Sequence, residues 1–407
     1  MNMGTRLVAK GLAAIVAGLV CLGAATAQPK YDPGASKTEI TIGNFAPYSG
    51  PASVYSVYGK VFEGYFNRIN ESGGINGRKI RILSYDDAYS PPKAVEQTRR
   101  LIESDEVLFI FGAVGTPGNA AIMKYMNARK VPQLFAASGS SLFADPEHFP
   151  WTIGFQPSYR AEGKLYAQYV LAQKPDAKIG VLFQDDDFGK DLLAGLEEGL
   201  GAKAKDMIVL TTSYDTRAPT VESQIVQLKA SGATVLMDFA TPKFSTQAMR
   251  KVGELGWRPL HFVASVASHV GSVLKPAGFD NAKGVVTGHW VKDPNDPAMA
   301  DDAGVKEWRA FMDRYYPGGD QTNNINVIAY ALAQTLEQVL RKCGDDLTRA
   351  NVMKVATNLG VVKTDILIPG VRIQPSPKDY LVVRDLRLDQ FDGVTYRPLG
   401  AAVELSR

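Results

Sequence analysis

Thr38-Glu-Ile-Thr-Ile-Gly43, Tyr48-Ser-Gly-Pro51, Gly73-Gly-Ile-Asn-Gly-Arg-Lys-Ile-Arg-Ile-Leu83 and Tyr85-Asp-Asp-Ala88 follow one another near the start of the chain and decide its fold. Ile40 and Ile42, like Ile80 and Ile82, alternate with polar neighbours, the period of a strand. Between the two strands, Gly73, Gly74, Asn76 and Gly77 tolerate the positive φ of a tight helix-to-strand connection. Pro91-Pro92 then opens a helix whose Ala94, Thr98, Leu101 and Ile102 share a face.

Ahead of this run, Met1–Lys10 carries Arg6 and Lys10 without an acid, and Gly11–Leu22 is apolar. That apolar stretch is too short to span a bilayer as a helix. With Ala25-Thr-Ala27 it reads as a secretory signal over residues 1–27, cleaved before Gln28. Val20 stands where a lipoprotein signal wants a small residue, so Cys21 is not expected to carry lipid. The remaining chain is long for one core and suits two. Its formal charge falls from +3 to +1, and no long basic run survives, which argues against a nucleic-acid partner. Cys343 is then the one cysteine left, so no intramolecular disulfide is expected, and Cys343 reads as a packed residue ending an apolar helix.

Downstream the β–α alternation repeats. Strands are expected at Val107–Phe111, Pro132–Ala137, Lys178–Phe183, Ile208–Thr211, Thr234–Phe239, His261–Ala264 and Gly284–Gly288. Helices are expected at Pro117–Arg129, Ala161–Ala172, Lys190–Leu200, Pro219–Ser231 and Phe244–Leu255. After the proline-rich Lys292-Asp-Pro-Asn-Asp-Pro297 come helices Val305–Tyr315 and Asn323–Cys343. Such alternation gives an α/β fold with doubly wound parallel sheets covered by helices on both faces.

The order and wording of these segments resemble the periplasmic solute-binding proteins of ABC transporters, specifically the leucine/isoleucine/valine-binding family with the type I periplasmic-binding fold. The resemblance runs to the C-terminus. It implies two doubly wound parallel-sheet lobes joined by three crossover segments, near Gln156-Pro157, His289–Val291 and residues 374–380. The lobes would comprise residues 28–156 plus 290–375 and residues 157–289 plus 376–407. It further implies a periplasmic, monomeric protein that captures a small carboxylate and delivers it to an inner-membrane permease. Some relatives bridge the first strand–helix loop to the loop after the next strand by a disulfide; the matching positions here are Tyr89 and Gly115, so packing must hold that corner.

Ligands of open α/β sheets collect at the carboxyl ends of strands. Gly112-Ala-Val-Gly-Thr-Pro117 is such an end, with Thr116 readable as the N-cap of its helix and the helix N-terminus suited to a carboxylate. In the family the position of Thr116 holds the ligand's carboxylate, and the next loop, Phe135-Ala-Ala-Ser-Gly-Ser-Ser141, binds carboxylate and amino groups through Ala137, Ser138 and Gly139. Phe188 in Gln184-Asp-Asp-Asp-Phe-Gly189 matches an aromatic wall, with a hydrophobic staple as its local alternative. Asp185–Asp187 read as solvated capping residues, not a metal site. Thr241 and Tyr58 also match ligand-facing positions, and Tyr159 lies just past the first crossing.

Where branched-chain amino-acid binders place an acid against the ligand ammonium, this chain has Ser265. A hydrophobic amino acid is the first expectation for the ligand, and an aromatic or keto carboxylate without an amino group is the second. A ligand-sensing module reporting to a membrane receptor is the alternative of another class. No GxxxxGK[ST], GxGxxG or GxSxG motif occurs, and the four histidines lack metal-ligand spacing, so neither an enzyme, a cofactor nor a metal is expected.

Overall fold

A computed structural model of the chain describes residues 30–405. The expected leader and Cys21 therefore lie outside the described residues. The opening stretch forms strand Glu39–Ala46, helix Val57–Glu71 and strand Lys79–Asp86. The strands pair in parallel from Glu39↔Lys79 to Ala46↔Asp86. Gly73, Gly74, Asn76 and Gly77 all take positive φ in the connection between them. Adding a Cβ at Gly74 would bring it 2.1 Å from the Arg78 carbonyl oxygen, so glycine is required there for space as well as conformation.

Five parallel strands make the first sheet: Lys79–Asp86, Glu39–Ala46, Ile110–Phe111, Gln133–Ala136 and Thr152–Gly154, in that spatial order. The third is shorter than the expected Val107–Phe111 because its opening residues serve two neighbours at once. Leu108 N donates to Thr41 O, while the Val107 and Leu108 carbonyls accept from the Arg349 guanidinium. One face of this sheet packs on helix Val57–Glu71 and the long helix Ile325–Cys343, through Phe62, Phe111, Leu332 and Leu336. Each such side chain, fully buried, contributes roughly 1.5–3 kcal/mol. Cys343 ends that helix as a free, buried thiol whose pKa burial pushes up to about 12.

In the second sheet, Ile208–Tyr214, Ile179–Gln184, Val235–Phe239, Leu260–Val263 and Val286–His289 run parallel. In chain order both sheets read 2-1-3-4-5, so each has its topological switch point between its first and third strands. Two strands unforeseen in the sequence, Asp385–Phe391 and Tyr396–Pro398, extend the second sheet antiparallel. It is therefore mixed at that edge.

Helices Tyr159–Gln173 and Asp187–Leu200 lie side by side on the second sheet. Their close approach depends on glycines: a Cβ at Gly163 would sit 2.2 Å from the Leu192 carbonyl oxygen, and one at Gly195 2.0 Å from that of Arg160. Both obstacles are backbone, so neither can swing aside. Gly163→Ala is expected to cost ~1–3 kcal/mol, the range for overpacking. Urea unfolding followed by circular dichroism would show it, and an unshifted midpoint would mean the helices can separate freely.

A neutral aromatic cavity between two strand-end clusters

The carboxyl ends of both sheets face each other, and the cavity between them lies at both switch points. From the first sheet come Tyr55, Tyr58, Tyr89, Val114, Gly115, Thr116, Ala137 and Gln156; from the other side come Tyr159, Phe188, Thr241 and Val266. The cavity encloses about 30 Å³, room for roughly two water molecules. Its walls are drawn together by hydrogen bonds that cross from one side to the other. Tyr55 Oη donates to Val266 O at 2.7 Å. Ser141 donates from its backbone N and its Oγ to the Asp191 carboxylate at 2.7 and 2.9 Å. Ser272 Oγ donates to Asn323 Oδ1 at 3.2 Å, and His269 Nδ1 lies 2.9 Å from Asn324 Oδ1.

Thr116 is not the N-cap expected from the sequence. It is the first residue of helix Thr116–Arg129, which Gly115 precedes at φ 95° with no side-chain cap. Its hydroxyl is engaged across the strand ends instead, 2.7 Å from Ser138 Oγ. Ser138 is buried behind the wall and accepts from Ser140 N at 3.2 Å. Gly139 is also behind the wall, where a Cβ would meet the Pro157 carbonyl oxygen at 1.9 Å, so only glycine fits the turn.

The aromatic residues divide between the two sides. Tyr58 accepts a hydrogen bond from Gln156 Nε2 at 3.0 Å, and burial raises its hydroxyl pKa well above the ordinary value despite that donor. Across the cavity Tyr159 meets Phe188 edge-on at 5.0 Å. Phe188 is thus a wall of the cavity and is buried. Before it, Asp186 caps the helix by accepting from the backbone N of Phe188 and Gly189, and burial raises its carboxyl to about 6. Asp185 and Asp187 are exposed. Thr241 Oγ1 donates to Gln184 Oε1 at 3.1 Å, beside the Tyr214 hydroxyl.

The structure thus brings Tyr58, Thr116, Ala137, Tyr159, Phe188 and Thr241 together at the cavity, with Ser138 and Gly139 directly behind it. Ser265 points elsewhere. Its backbone N and Oγ donate to the buried Glu162 carboxylate, both at 2.7 Å, and its neighbour Val266 lines the cavity instead. Sequence reasoning missed Tyr55, Tyr89, Gln156 and Val266 as lining residues. Tyr55 stands one helical turn before Tyr58, a spacing that puts both on one side. Tyr89 stands in the corner that lacks a disulfide, and its ring packs there: a Cβ on Gly115 would lie 2.4 Å from Tyr89 Cε2. Tyr89 holds a left-handed backbone, φ 57°, to reach that position.

A family model described as periplasmic binding protein matches residues 39–393. A Leu/Ile/Val-binding protein homolog 7 from Brucella abortus (strain 2308) is 26% identical over 262 residues, covering 61% of this chain and 63% of that one. The chain thus spans about three fifths of the length of the curated relatives it matches. Among solved structures, a branched chain amino acid ABC transporter from Thermus thermophilus with bound valine superposes with a TM-score of 0.78 at 16% identity, covering 91% of this chain and 97% of that one. A fatty acid ABC transporter substrate-binding protein from Thermomonospora curvata gives 0.75 at 18% identity, covering 92% and 95%. These likenesses establish the fold: two doubly wound parallel-sheet units joined by three crossovers. By its sequence match over most of its length and by this architecture, the chain belongs to the periplasmic binding protein family, whose members bind solutes.

Proposed function

We propose that this protein is the periplasmic substrate-binding component of an ABC importer, capturing a small carboxylate with an apolar tail and delivering it to an inner-membrane permease. The lobes that close on the ligand would be residues 28–156 plus 290–375 and residues 157–289 plus 376–407, and the protein would act as a monomer. One observation carries the reading: the first turn of helix Thr116–Arg129, with the Thr116 hydroxyl, opens into a cavity whose wall includes the rings of Tyr55, Tyr58, Tyr89, Tyr159 and Phe188 and the apolar Val114, Ala137 and Val266. A helix N-terminus and a hydroxyl donor favour an anionic head group. The rings favour an apolar tail. The Leu/Ile/Val and fatty-acid names of the relatives describe ligands with these two parts.

The hydrogen bonds across the cleft are read as contacts of the closed form, and ligand bound to both sides would shift an open–closed equilibrium towards it. The reading is tested by thermal shift with apolar carboxylates against their amides. At a hundredfold excess over Kd a true ligand adds about 2.7 kcal/mol, so carboxylates should raise the melting temperature and amides should not. A panel in which no carboxylate acts would remove the proposal. Thr116→Ala should weaken carboxylate binding by ~1.5–3 kcal/mol, the range for hydrogen bonds to charged groups. Calorimetry giving an unchanged Kd would place the head group elsewhere.

A further inference from the structure

The cavity wall is neutral: among the described residues, no Asp, Glu, Lys, Arg or His lines it. Its ionisable groups are tyrosine hydroxyls, which burial holds in the protonated form. Three carboxylates stand near the lining residues. Asp87 accepts from Tyr89 N through Oδ1, and its Oδ2 lies beside helix Thr116–Arg129, where a Cβ on Gly118 would come within 3.3 Å of it. Glu162 and Asp186 are committed to the protein frame. Glu162 lies one turn along the helix from Tyr159 and is fully buried. Its Oε1 accepts from Tyr166 Oη at 2.6 Å and from Ser265 N at 2.7 Å, while its Oε2 accepts from Ser265 Oγ at 2.7 Å. Asp186 is committed in the same way. Its Oδ1 accepts from Phe188 N and Gly189 N at 3.0 and 3.4 Å, and its Oδ2 from Gln184 Nε2 at 2.5 Å.

An α-amino acid would bring an ammonium into this enclosure. Buried without a carboxylate partner, that group loses its hydration with nothing to replace it. A ligand carboxylate meets the opposite situation, because hydroxyl donors and a helix N-terminus are present at the strand ends. The wall therefore suits one anionic group and no cationic one.

We infer that the ligand is a monocarboxylate with an apolar tail and no ammonium group: a 2-oxo acid, or an aromatic acid of the benzoate kind. This rests on the cavity being the ligand site proposed above. The same wall would then exclude the amino acids from which such oxo acids derive, so the chain would select deaminated over aminated solutes of one shape.

Isothermal titration of the full-length exported protein with 4-methyl-2-oxopentanoate against leucine, phenylpyruvate against phenylalanine, and benzoate tests this. The expected result is binding of at least one of the three ammonium-free acids, with any oxo acid that binds doing so at least tenfold more tightly than its amino-acid partner. Leucine or phenylalanine binding within tenfold of its oxo partner, or more tightly, would overturn the inference and leave carboxylate capture standing. Failure of both series and of benzoate would overturn the carboxylate reading itself, and the inference with it.

Discussion

Asp87→Asn is expected to make the protein more stable at pH 8 by ~2–4 kcal/mol and to flatten its stability profile between about pH 4 and pH 7. Asp87 is fully buried. Its Oδ1 accepts from Tyr89 N at 3.1 Å, whereas its Oδ2 is buried without a hydrogen-bond partner. Burial, with a smaller push from neighbouring Asp86, raises its carboxyl from 3.8 to about 7. A carboxyl raised in the folded state contributes stability that is fully present below the unfolded value and is lost as pH rises through the folded one. At roughly 1.4 kcal/mol per unit, the loss between pH 4 and pH 7 is about 4 kcal/mol. Asparagine imitates the protonated acid in size and stays neutral at every pH. Urea unfolding at pH 5 and pH 8 would show the gain at the higher pH, and a variant with the wild-type slope would contradict the assignment.

His269 is expected to act in the opposite direction, on binding as well as on stability. It is buried where the two sides of the cleft meet, with Nδ1 against Asn324 Oδ1. Burial is the main cause that lowers its pKa from 6.5 to about 4, and nearby His289 adds to it. A base depressed in this way contributes stability present above 6.5 and lost as pH falls towards 4. If opening the cleft returns His269 to water, protonation favours the open form. At pH 5 that is on the order of 2 kcal/mol, so affinity should drop roughly thirtyfold between pH 7.5 and pH 5. His269→Gln should reduce the drop, since glutamine keeps a donor for Asn324 but cannot take up a proton. Calorimetric titrations at the two pH values would decide it; equal pH dependence in wild type and variant would show that other groups control closure.

Much of the fold was legible because buried parallel strands are short apolar runs, and Val235–Phe239, buried along its whole length, is the clearest case. The C-terminal strand Asp385–Phe391 was not, because Asp385, Arg387 and Asp389 disguise it as a polar segment. In the folded chain these charges are paired. Arg372 binds Asp385, Arg387 binds Asp389, and Asp389 also lies 2.9 Å from His289 Nδ1. Each partner except Arg387 is remote in sequence or on another element, so no local pattern reveals them. At the cavity, the Thr116 segment could be read because a strand-to-helix turn marks where ligands meet such sheets, whereas Tyr58 and Phe188 were pointed to by the family resemblance alone. Ser265 could not be read correctly: its partner, Glu162, lies 103 residues away, and only the folded chain brings them together. The acid that seemed to be missing near Ser265 is therefore present, but it is turned into the frame and away from the cavity.

Closure of the two sides around a carboxylate would be seen by small-angle X-ray scattering with and without saturating 4-methyl-2-oxopentanoate or benzoate. The cavity described above is closed, with its walls hydrogen-bonded to each other. The ligand-free protein is expected to scatter as a more extended particle than this structure, and a carboxylate confirmed to bind by calorimetry to contract it towards this structure, stopping short of it by the separation needed to enlarge a cavity of about 30 Å³. A bound carboxylate that leaves the radius of gyration unchanged would mean that the two sides do not close on the ligand.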